Sequence, residues 1–142
     1  MFKKSVVCSI VGCSIIGLAM LAGCDDVHAP HATGQDKLAP GQYPKNVAVD
    51  WQLGTSIVAG NTSVNEGSKD QPMSVSQPVR NIKDFPLNIQ YQFTFLDSAG
   101  RPLEGTGGWK YVTLEPRVER FLQGAALDTN AVDWRLTVRP AK

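Results

Sequence analysis

The chain has 142 residues, 14 Lys and Arg against 13 Asp and Glu, three cysteines and two histidines. A near-neutral charge without a basic stripe argues against nucleic-acid binding. All three cysteines stand at or before Cys24, so no disulfide can form within the chain that follows, which must fold by burial alone.

The N-terminus opens with Lys3 and Lys4, runs uncharged from Ser5 to Met20, and closes on Leu21-Ala22-Gly23-Cys24. A basic start, an apolar centre and small residues at a break are the parts of a secretory signal, here 1–23. A plain spanning helix would need about 20 apolar residues. This run reaches that only by including Gly12, Gly17 and Gly23, and Asp25-Asp26 follow at once. The ending resembles a bacterial lipobox, which implies cleavage before Cys24 and a diacylglyceryl group on its sulfur. Ile10-Val11-Gly12-Cys13 fits the short pattern too, but cutting there would strand the apolar 14–22 on the mature chain. A lipoprotein cysteine carries two or three acyl chains, enough for stable membrane attachment. In enteric-type bacteria an aspartate after that cysteine retains lipoproteins in the inner membrane. By that resemblance Asp25, reinforced by Asp26, favours the inner over the outer membrane, with the domain facing the periplasm.

After Cys24, residues 25–45 read as a tether, with Pro30, Pro40, Pro44, Gly34 and Gly41 and no apolar periodicity. As a coil it would reach about 25 Å, and pulled straight roughly 70 Å. His28 and His31 both fall here, without the cysteines or dense carboxylates that would complete a metal site. They read as solvated linker residues, and no cofactor is expected.

Residues 46–142 suit one domain with one core. Val47, Val49, Trp51 and Leu53 alternate with polar or small residues, and so do Leu87, Ile89, Tyr91, Phe93 and Phe95. Val132, Trp134, Leu136 and Val138 repeat the pattern near the C-terminus. Period two over such lengths predicts three strands, each with one buried face, so Trp51 and Trp134 are expected in the core. Weaker strands are read at 56–59, 73–79, 109–114 and 118–122, with Pro78 tolerated only at an edge or bulge. Loops are expected at 60–71, 97–100 and 115–117, and one short helical turn at 125–131. Six or seven short strands with turns between them predict an all-β, antiparallel β-sandwich.

Several runs here carry a family resemblance. Val79-Arg80-Asn81, then Leu87 through Asp97 with Gly100 after it, Trp109 before Val112-Thr113-Leu114, and the closing Asp133-Trp134-Arg135-Leu136-Thr137-Val138-Arg139 resemble the signature of the YcfL family (DUF1425). The resemblance covers most of 46–139 and departs at Thr94 and Leu96, where larger aromatics would be expected. It implies an immunoglobulin-like sandwich in a small periplasmic lipoprotein, and no established biochemical activity.

Residues 46–142 contain no histidine and no cysteine, which removes Ser-His, Cys-His and His-metal chemistry. Asp50, Asp84, Asp97, Glu104 and Asp133 fall at turns or polar strand positions, where solvation accounts for them, and no enzyme is expected. Gly105-Thr106-Gly107-Gly108 lacks the lysine and helix of a phosphate loop. Trp109 and Tyr111 share one face of their strand and Val112 and Leu114 the other. With the latter inward, the aromatics form an exposed pair suited to recognition. The alternative is that Trp109 folds over an open end of the sandwich. The expected function is a non-catalytic, lipid-tethered accessory module binding another envelope protein; the other reading is a ligand- or cell-wall-glycan-binding domain using that aromatic pair.

Overall fold

The computed structural model describes residues 41–105 and 107–142. The predicted signal, Cys24, Asp25, Asp26, both histidines and nearly all of the tether lie outside them. The described chain is all-β: β1 (Val47–Val49), β2 (Ile57–Ala59), β3 (Ser63–Asn65), β4 (Ser74–Asn81), β5 (Leu87–Leu96), β6 (Lys110–Leu114), β7 (Glu119–Ala125) and β8 (Asp133–Pro140).

The long alternations build the first sheet. Its order is β1-β8-β5-β6, with β8 antiparallel to β5, β5 antiparallel to β6, and β1 parallel to β8. Apolar positions on one side of β5 and β8 send Ile89, Phe93, Phe95, Trp134, Leu136 and Val138 inward, all buried. The Phe93 ring stacks on Phe95 at 6.2 Å between centroids and meets Trp134 at 6.1 Å.

The second sheet is centred on β4. β7 pairs with it from Ser74 to Arg80, so β2 and β3 share its other edge, at opposite ends. Pro78 falls between them. Its carbonyl accepts from Gly60 N at 2.9 Å, so its missing N–H faces the gap where β2 has ended and β3 has not begun.

Two amides sit fully buried in β4. Asn81 Nδ2 donates to Phe85 O and Leu114 O, and its Oδ1 accepts from Lys83 N, which ties β4 to β6 across the sandwich. Gln77 Nε2 donates to Gly60 O and Pro78 O, and its Oε1 accepts from Thr62 Oγ1. Burial in this core is tolerated because each amide is satisfied.

Several expectations need correction. Trp51 is not in the core but 83 % exposed. The alternation breaks because Asp50 Oδ1 accepts from Gln52 N and Asp50 O from Leu53 N, a local turn that outcompetes the strand. That turn, not a strand, buries Leu53. The 60–71 loop contains β3, held by its pairing with β4 despite a polar, exposed sequence. Residues 126–132 are irregular rather than helical. Eight strands replace six or seven because β3, only three residues long, is added, and one pair is parallel.

The turns fall where Asp and Pro place them. Asp97 Oδ1 accepts from Ala99 N and Arg101 N, and its Oδ2 receives the Arg101 side chain at 2.8–2.9 Å. The Arg101 backbone N–H and guanidinium hold this carboxyl below its usual range. The 115–117 turn joins the two sheets instead of closing a hairpin: β6 pairs β5 and β7 pairs β4. There Arg117 adopts φ 61°, donates its N–H to Asn81 O, and pairs with Asp84 at 2.9 Å.

Candidate functional site

Strand order decides which outward side chains meet. On β6, Leu114 is buried and Val112 half-buried on the inner face, which leaves Tyr111 and Thr113 to the outer face, with Trp109 just before the strand. Lys110 also turns inward, its Nζ 5.9 Å from the Tyr91 ring and donating to Gln123 O at 3.2 Å. Tyr111 is 70 % exposed. It pairs with Gln90 on β5, and Gln90 pairs in turn with Arg139 on β8. Arg139, Gln90 and Tyr111 thus form one row across three strands.

Arg139 leans across this row onto Trp109, with its guanidinium carbon 3.7 Å from the ring centroid. It covers Gln90, which is only 3 % exposed although it sits on the outer face. The amide is fixed beneath: Gln90 Nε2 donates to Pro140 O at 3.2 Å, and Arg139 Nη2 approaches Gln90 Oε1 at 3.4 Å. Arg139 Nε is buried without a hydrogen-bond partner among the described residues. Trp109 is half-buried and stacked by Arg139; it is not part of the buried core cluster.

Hydrogen-bonding side chains surround the aromatics. Gln92 Nε2 donates to Gly107 O at 3.2 Å, and Thr113 Oγ1 to Asn88 Oδ1 at 2.8 Å. Beside Tyr111 an open groove of about 340 Å³ is lined by Asn88, Val112, Thr113 and Ala141 among others. A second open groove, about 450 Å³, lies on the other sheet over Ser63, Asn65, Ser74, Ser76 and Gln123, with Lys110 at its margin. It carries no aromatic anchor.

The carboxylates are dispersed among separate local partners. Asp50 caps its own turn, Asp84 pairs with Arg117, Asp97 with Arg101, and Asp133 accepts from Asn46 Nδ2. Among the described residues no group of three His, Cys, Asp or Glu side chains is placed to hold a metal ion.

Sequence reasoning misses Arg139 and Gln90, which read only as polar positions in their strands. It also misses Phe121, 57 % exposed on the outer face of β7 opposite Pro78. The inward Leu122 beside it is the available signal for Phe121, since neighbours in a strand point to opposite faces.

Two crystal structures share this fold. That of Campylobacter jejuni cj0090 is 20% identical with a TM-score of 0.58, and the alignment covers 69% of this chain and 100% of that one. That of a DUF1425 family member from Shewanella sp. pv-4 is 20% identical with a TM-score of 0.53, covering 61% of this chain and 79% of the other. No curated protein matches the sequence. The family described as "Protein of unknown function (DUF1425)" matches residues 45–140, over two-thirds of the chain. The protein belongs to the DUF1425 family.

Proposed function

We propose that this protein is a non-catalytic module of the bacterial cell envelope. A lipid on Cys24 holds it at a membrane, the inner one by the Asp25-Asp26 signal. It docks another envelope protein on the outer face of the β1-β8-β5-β6 sheet. The observation that carries this reading is the cluster of Trp109, Arg139 and Tyr111 on that face. Trp, Tyr and Arg are the residue types that dominate binding energy at protein interfaces, chiefly when clustered inside a polar surround. The absence of histidine and cysteine from 46–142 supports a binding role over a catalytic one. The groove beside Tyr111, with Asn88 and Thr113 in its wall, favours a second reading in which a glycan stacks on the tyrosine ring.

Photo-crosslinking in living cells tests the docking face. A photoreactive residue at Tyr111 should give a discrete adduct that one at Ser76, on the opposite sheet, does not. Trp109→Ala should weaken that complex by about 2 kcal/mol or more. Its own stability should fall by only about 1 kcal/mol, the scale of a partly exposed cation–π contact. Equal adducts from both faces, or a Trp109→Ala domain that melts several kcal/mol lower, would remove the assignment. The anchor has a separate test: Cys24→Ser should lose all label from a palmitate analogue, and undiminished label would place the lipid elsewhere.

A further inference from the structure

We infer that Arg139 is a preorganised receptor for a carboxylate, and that the docking partner presents an acidic segment to it. This rests on the outer sheet face being the docking face. Arg101 and Arg117 each have a carboxylate within 2.9 Å. Arg139 has instead an indole ring on one side and an amide beneath it, with no carboxylate partner among the described residues. Stacking on Trp109 and contact with Gln90 fix the plane of the guanidinium, and its Nε is already stripped of solvent. A side chain held this way has lost its rotamer freedom and part of its hydration before a partner arrives, so less of either is lost on binding. What it offers is a planar fork of N–H donors, matched to the two oxygens of a carboxylate.

Charge on the same face selects the same partner. The outward positions of β8 carry Arg135 and Arg139. The one acid there, Asp133, already accepts from Asn46 Nδ2 at 3.0 Å and from Trp134 N at 2.8 Å. The outward positions of β5, from Asn88 to Leu96, and of β6, Tyr111 and Thr113, hold no acidic residue. Neither Arg135 nor Arg139 has a carboxylate within ion-pair distance among the described residues, so these are the charges left for a partner to meet, and their complement is an acidic peptide.

The test uses the full-length chain in detergent with poly-L-glutamate as probe, and poly-L-lysine and polygalacturonate as comparators. Poly-L-glutamate should shift the NMR signals of the Trp109 indole N–H and the Arg139 Nε–H. Arg139→Gln should weaken binding about tenfold or more, as expected on losing a charge-assisted fork. Arg135→Gln should cost only about twofold, the scale of an exposed charge. Arg139→Lys keeps the charge but not the planar fork, and should bind nearly as poorly as Arg139→Gln. It also carries the test should the glutamine variant fail to fold. Undiminished binding by both Arg139 variants overturns the inference, and so does equal binding of poly-L-lysine. Binding of polygalacturonate in place of poly-L-glutamate overturns the acidic peptide in favour of a carboxylated glycan. If Tyr111 still crosslinks a partner while Arg139 proves indifferent to the probe, the docking face stands and the acidic segment falls. If the probe engages Arg139 but Tyr111 crosslinks nothing, the docking face falls, and with it the acidic partner segment, leaving Arg139 as a carboxylate receptor only.

Discussion

Trp134→Ala should destabilise the domain by about 3–5 kcal/mol, the range for truncating a buried aromatic. Trp134 is 7 % exposed, pairs with Phe95 across β5 and β8, and meets the Phe93 ring at 6.1 Å. Its removal leaves a hole where the two longest strands of the first sheet join. No disulfide among residues 46–142 shares that load, because they contain no cysteine. A domain of this size has about 5–15 kcal/mol in total, so the variant loses a large part of its margin. Denaturant melts of the two proteins measure the difference. A loss below about 1 kcal/mol would be the signature of an exposed side chain, and would mean the β8 register is displaced by one residue.

That register is legible in the sequence because the apolar residues of β5 and β8 alternate along most of each strand, long enough for period two to stand out. The same pattern misleads at Trp51. There the alternation is as clean, but Asp50 offers the backbone a turn, and three residues of β1 are too few to resist it. β3 is invisible for the opposite reason: Ser63-Val64-Asn65 has no buried face and is a strand only because Ser74–Ser76 pairs with it. Tyr111 can be placed on an outer face from the parity of Val112 and Leu114 alone. Its relation to Arg139 cannot. That contact depends on β5 lying between β6 and β8, and strand order is set by long-range pairing that one sequence does not display. For the same reason the sequence leaves Trp109 with two readings, end cover or recognition surface. The structure places it half-buried on the outer face beneath the Arg139 guanidinium, a neighbour that the pattern of its own strand does not show.

Gly124→Ala should also destabilise, by about 1–3 kcal/mol, although strand propensity points the other way. Gly124 lies on the inner side of β7, paired with Val75, where an added Cβ would come within 2.5 Å of the Phe93 ring and 2.9 Å of its Cβ. Its φ is not in the left-handed region, so the backbone alone would accept alanine. Alanine should then gain about 0.5–1 kcal/mol from the smaller entropy lost on folding. Against that stands overpacking, which costs about 1–3 kcal/mol in a close-packed core and more where neither neighbour can yield. Phe93 cannot swing away easily, hemmed by Phe95, Tyr91 and Trp134. The steric cost therefore wins, and the glycine is what allows β7 to close over β5. A double-mutant cycle isolates the contact: Phe93→Ala removes the ring atoms that an added Cβ would strike, so the two substitutions together should cost about 1 kcal/mol less than their sum. Melts in which Gly124→Ala matches or exceeds the parent would show that the second sheet does not rest on Phe93. The approach of the two sheets over β5 would then have to be redrawn.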